Sequence, residues 1–126
     1  MKLKIDEIKK DFKLLFENEG IQSILLYGSY VNGKPHLKSD VDICVVTPNC
    51  KTIKQKSEML GYIWGNVNAE KYDIRLFEEL PLYIKISVIK NYKIIYTKDL
   101  AELQYYFYVY RKLWEGQSVN WIEKKI

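Results

Sequence analysis

Residues 28–46 read GSYVNGKPHLKSDVDICVV, and this stretch decides the fold. Asp40 and Asp42 are two apart, so on a strand their side chains leave the same face. Val41, Ile43 and Val45 then leave the opposite face, where they can be buried. Two adjacent carboxylates repel each other and are costly to keep ionised without a cation. Mg2+ favours such a site, taking a few carboxylate oxygens plus substrate phosphates. Upstream, Gly28 lets the backbone turn sharply and approach a ligand closely. A helix opening just after Ser29 would aim free backbone N–H groups at an anion. A phosphate-cradling turn joined to paired acids is what metal-assisted nucleotidyl transfer needs.

Hydrophobic periodicity supplies the flanking elements. Residues 4–19 read as an amphipathic helix with Ile5, Ile8, Phe12, Leu15 and Phe16 on one face, and Gly20 placed to end it. Residues 21–27 are almost continuously apolar, as in a central strand buried on both sides. Asn32-Gly33 and Pro35 break the chain before a second strand over residues 41–46. A helix follows over residues 51–64, then an alternating strand over residues 71–77. Pro81 suits the first turn of a helix ending near Asn91. Residues 92–96 form a short strand, and a last helix runs from Asp99 until Gly116 stops it. This order predicts an α+β fold with the helices packed on one face of the sheet. The alternation in residues 71–77 places Asp73 on the face that already carries Asp40 and Asp42.

Composition narrows the class. At 126 residues the chain is sized for a single domain over 1–126, with no separate substrate domain. A net charge of +4 spread along the chain attracts a polyanion such as ATP, but forms no basic stripe for direct nucleic-acid binding. The two cysteines, Cys44 and Cys50, have neither metal-ligand nor disulfide spacing, which predicts a reduced, cytoplasmic setting. The charged start MKLKIDEIKKDF is no secretory signal, and no apolar run reaches membrane-spanning length.

Gly28-Ser29, a ten-residue spacer, Asp40-x-Asp42 and a later strand-borne Asp73 together resemble the nucleotidyltransferase superfamily that includes DNA polymerase β. The likeness extends over residues 20–97, and the short length resembles the minimal nucleotidyltransferases. The spacer resembles MntA-type antitoxins, partners of HEPN-domain toxins. The resemblance implies a mixed four-stranded sheet, an N-terminal helix over 1–20, a catalytic core over 21–97, and a C-terminal helix and tail over 98–126. It implies that Gly28 and Ser29 hold the triphosphate of ATP, and that Asp40, Asp42 and Asp73 are catalytic and ligate two Mg2+ ions. It further implies transfer of AMP to a tyrosine of a HEPN ribonuclease, with release of pyrophosphate, so that the chain is an antitoxin protein adenylyltransferase. Transfer to a small molecule or an RNA end, and a binding-only antitoxin, are the alternatives. Many relatives carry a basic residue after Gly-Ser where Tyr30 and Val31 stand here, so Lys34 or Lys38 would supply that charge. Relatives often end the third helix on Gly, and Asn91 tolerates the same left-handed conformation.

Other residues have two readings each. Arg75 faces the site or pairs with a nearby acid such as Glu78. His36 is a solvent-exposed loop residue in preference to a ligand. Cys44 is a buried filler in preference to a reactive thiol. In the run from Gln104 to Tyr110, core packing accounts for Leu103, Phe107 and Tyr110. Tyr105, Tyr106 and Tyr108 are left over, and read as a partner-facing surface.

Overall fold

The computed structural model describes residues 5–28 and 41–125. Helix α1 (Ile5–Phe12) tightens into a 3-10 turn (Lys13–Glu17) and leads to strand β1 (Ser23–Tyr27). Strand β2 (Val41–Val46), helix α2 (Ile53–Asn66) and strand β3 (Tyr72–Leu76) follow. A second 3-10 turn (Phe77–Glu79) leads to α3 (Leu82–Lys90), β4 (Lys93–Thr97) and α4 (Leu100–Lys125). Over the described residues the expected element order is observed, with most boundaries moved by a few residues; the helix expected just after Ser29 lies outside the described residues.

The sheet runs in the order β3-β2-β1-β4. β1 pairs antiparallel with β2 and with β4, while β2 and β3 are parallel, so the sheet is mixed as expected. A parallel pair needs a crossover, and α2 is that crossover. Its start is set by a capping box: Gln55 N–H donates to Thr52 Oγ1 (3.1 Å), and Thr52 N–H donates to Gln55 Oε1 (3.1 Å).

Both faces of the sheet are covered, which corrects the expectation of helices on one face. Ile8 and Phe12 of α1 and Ile63 of α2 pack with Ile24, Ile43, Ile74 and Leu76. On the other face, Val88 of α3 and Leu103 and Phe107 of α4 pack with Leu25, Cys44 and Val46. The reason lies in β1 and β2, whose alternate residues are apolar on both sides, so each face needs a cover. Gly116 does not stop the last helix, which continues to Lys125. An interior glycine costs about 1 kcal/mol relative to alanine, too little to break a long helix without a turn sequence behind it. Asn91 is extended (φ −154°) and not left-handed. Among the described residues no helix is long and apolar enough to cross a membrane.

Candidate active site

Tyr27, Asp42 and Asp73 form one row across three strands: Tyr27 is the register partner of Asp42, and Asp42 of Asp73. Directly opposite residues point to the same face, so the two carboxylates and the phenol leave the sheet together. The next row inward is Leu25, Cys44 and Arg75, and the apolar cluster under α3 and α4 begins there with Leu25 and Cys44. The acids thus stand where the covered part of the face ends. Asp42 and Asp73 are half-buried.

Gly28 follows directly on β1 with φ of +79°, in the left-handed region that favours glycine. A Cβ built there would lie 2.2 Å from Asp42 Oδ2. The Asp42 carboxylate therefore rests against the bare Cα of Gly28, and both conformation and space exclude a side chain.

The row opens into a cleft of about 380 Å3. One wall carries Asp42, Asp73 and Arg75, and the other is made by Leu80, Pro81, Tyr83 and Ile84 at the start of α3. Lys85 fixes that second wall by donating to the carbonyls of Leu80 (2.8 Å) and Glu78 (3.4 Å). Burial lowers the Lys85 pKa, and the nearby Glu78 carboxylate partly restores it. Tyr27 is pushed well above its ordinary value by burial first, with Cys44 and Asp42 adding to it, so it stays a neutral phenol beside the acids.

Arg75 pairs with Asp73 (Nε to Oδ1, 3.6 Å), not with Glu78. Arg75 is exposed and Asp73 only half-buried, so the pair is weak. Glu78 is occupied elsewhere: Thr47 donates to Oε1 through its backbone N–H (2.9 Å) and hydroxyl (2.8 Å). The Tyr106 hydroxyl donates to Oε2 (2.8 Å). Cys44 is fully buried and burial pushes its thiol up, in keeping with a filler.

The structure thus brings together Gly28, Asp42 and Asp73. Ser29 and Asp40 lie outside the described residues, as do Tyr30, Val31, Lys34, His36 and Lys38. The donor set fits a hard divalent cation: two carboxylates side by side on neighbouring strands, at the mouth of an open cleft. Among the described residues no cluster of three or more acids, histidines or cysteines stands ready to hold a metal. Sequence reading missed Tyr27 and the wall from Leu80 to Ile84. Tyr27 was legible as the residue just before Gly28, with the same strand parity as Asp42. The wall was not, because it depends on where α3 docks.

A family model for polymerase β nucleotidyltransferases matches residues 8–101. A provisionally named protein adenylyltransferase of Methanocaldococcus jannaschii is 50% identical over 95 residues, covering 75% of this chain and 70% of that one. A second protein of the same provisional name and organism is 28% identical over 102 residues, covering 81% and 90%. Among solved structures, a toxin–antitoxin with AMP-PNP superposes with a TM-score of 0.68 at 17% identity, over 94% of this chain and 92% of that one. The MNT antitoxin structure with tri-AMPylated HEPN toxin of Shewanella oneidensis gives 0.65 at 13% identity, over 93% and 92%. At such identities the structural matches speak to the fold.

Proposed function

The chain belongs to the polymerase β nucleotidyltransferase family, and on that premise we propose that it is an antitoxin protein adenylyltransferase. It transfers AMP from ATP to a tyrosine hydroxyl of a partner HEPN ribonuclease toxin and releases pyrophosphate. The observation that carries the chemistry is the in-register pair Asp42–Asp73 beside the positive-φ Gly28. The choice of a protein acceptor is supported by the 50% identity to the named adenylyltransferase, and the toxin by the fold shared with toxin–antitoxin complexes.

In this reading Asp40, Asp42 and Asp73 would hold two Mg2+ ions, and Gly28 and Ser29 would hold the triphosphate. When bound, the ions would supply charge neutralisation for the leaving phosphates and a lowered pKa for the attacking hydroxyl. Asp73 accepts the proton as the hydroxyl oxygen bonds to the α-phosphorus and the bond to pyrophosphate breaks. Gly28 lets the backbone come close to the phosphates because no Cβ stands in the way. Tyr27, kept neutral, adds no further negative charge to the row. The chain works as one catalytic unit over 1–126, supported by the packing of Leu103 and Phe107 of α4 onto the sheet. Its setting is the cytoplasm, in keeping with the two free cysteines.

The test is incubation with ATP labelled at the α-phosphate, Mg2+ and the co-expressed product of the neighbouring gene. Label and an AMP mass gain on a tyrosine of that protein are expected. Neutralisation of the toxin that survives Asp42→Asn would instead mean a binding-only antitoxin.

A further inference from the structure

β3 is an edge strand: among the described residues β2 lies on one side of it and no strand on the other. A groove of about 310 Å3 is lined by Asp73, Ile74, Arg75 and Leu76 in succession. Successive strand residues point to opposite faces, so a groove that touches all four runs along the strand's edge and not over either face. Leu60 of α2 borders the groove as well, and so does Leu80, which packs in the cluster on the opposite face. The edge is thus flanked from both layers.

The groove adjoins two further depressions. It shares Asp73, Arg75, Leu80 and Pro81 with the cleft that holds Asp42. It also shares Leu60 and Glu79 with a depression of about 510 Å3 where Trp64 and Ile53 are 53% and 88% exposed.

We propose that this edge groove is the acceptor site, and that it takes an extended segment of the acceptor protein as a further strand beside β3. This rests on the reading of the chain as a protein adenylyltransferase. An open strand edge rewards an extended chain, whose own N–H and C=O groups pair with it. A helix gains nothing there, because its backbone groups are already satisfied. Register then places the acceptor. A residue opposite Asp73 on the added strand points to the same face as Asp73, about 4.8 Å further along the row. The row Tyr27–Asp42–Asp73 is extended by one position, and a tyrosine in that position brings its hydroxyl to the acids. Trp64 and Ile53 give the far end of the segment an apolar seat.

The experiment uses the tyrosine located by mass spectrometry on the acceptor protein. Short peptides centred on it are N-methylated at odd backbone positions in one set and at even positions in another. In an added strand only alternate N–H groups face the neighbour, so one set should lose about tenfold in kcat/KM, through KM, while the other retains it. Equal effects in both sets would overturn the proposal. With the whole acceptor protein bound, hydrogen exchange of the Tyr72–Leu76 amides should slow; unchanged exchange there would also overturn it. If no tyrosine carries AMP at all, the adenylyltransferase reading itself fails, which is a different result.

Discussion

Asp42 and Asp73 are register partners on neighbouring parallel strands, each half-buried, with Tyr27 in line beyond Asp42. Two like charges held side by side repel each other, and a cation bound between them would relieve that repulsion, so their cost and their proposed use have one origin. Asp73→Asn removes that repulsion along with the weak contact to Arg75, and the two losses nearly offset. Its Tm should stay within about 2 °C of the parent. Adenylyl transfer should nevertheless fall by roughly a hundredfold or more in Asp42→Asn and in Asp73→Asn. Calorimetry alongside transfer of α-labelled ATP checks both halves, and full transfer by either variant would remove that carboxylate from the chemistry.

Gly28→Ala combines two penalties. The residue sits at φ +79°, and its new Cβ would meet Asp42 Oδ2 at 2.2 Å. Left-handed backbone costs a non-glycine residue about 1 kcal/mol, and displacing the carboxylate adds to it. The contact is specific, so a double-mutant cycle isolates it. Gly28→Ala should destabilise less in an Asp42→Ala background than in the parent, by about 1 kcal/mol. Urea unfolding of the four proteins measures the difference, and simple additivity would mean that the carboxylate moves aside freely.

Much of this site could be read from residue spacing. The strand boundaries 41–46 match β2, and alternation in residues 71–77 already put Asp73 on the face of Asp42. What spacing left open was the second layer. Leu25, Cys44 and Val46 share the acids' parity, and α3 and α4 cover that face from the row next to the acids onward. Glu78 read only as a possible partner of Arg75 for a similar reason. Its partners Thr47 and Tyr106 lie 31 and 28 residues away, so nothing local announces them. Gly116 misled because propensity is a weak force against a helix that has no other reason to end.

The tyrosines of α4 divide in a way that the helical pattern alone does not show. Tyr106 and Tyr110 pack on Phe77, with ring centroids 5.7 and 5.2 Å away. Tyr105 and Tyr108 remain 70% and 45% exposed. Tyr105→Ala and Tyr108→Ala should each change stability by no more than about 0.5 kcal/mol. If this face meets the partner, the paired variant should weaken the complex by about tenfold, as measured by calorimetric titration. A large fall in Tm would return both residues to the core.

Tyr106 also contributes to the behaviour of the fold at high pH, together with Tyr27 and Tyr72, whose pKa values burial raises as well. The Tyr106 pKa is raised, first by burial and then by the Glu78 carboxylate, to which its hydroxyl donates. A folded value above the unfolded one means that the unfolded chain loses its proton first as pH rises. The stability Tyr106 contributes is fully present below about pH 10, the unfolded tyrosine value, and is lost as pH climbs from there towards the folded value. Tyr106→Phe cannot titrate, so its Tm should fall less steeply above about pH 10 than that of the parent. At neutral pH the same variant should be less stable by about 1 kcal/mol, because one hydrogen bond to Glu78 is gone. Glu78→Ala should cost more, since it strands the Thr47 N–H and two hydroxyls at once. Thermal melts of the three proteins between neutral and alkaline pH decide the matter, and parallel curves would show that Tyr106 does not contribute to the alkaline limb.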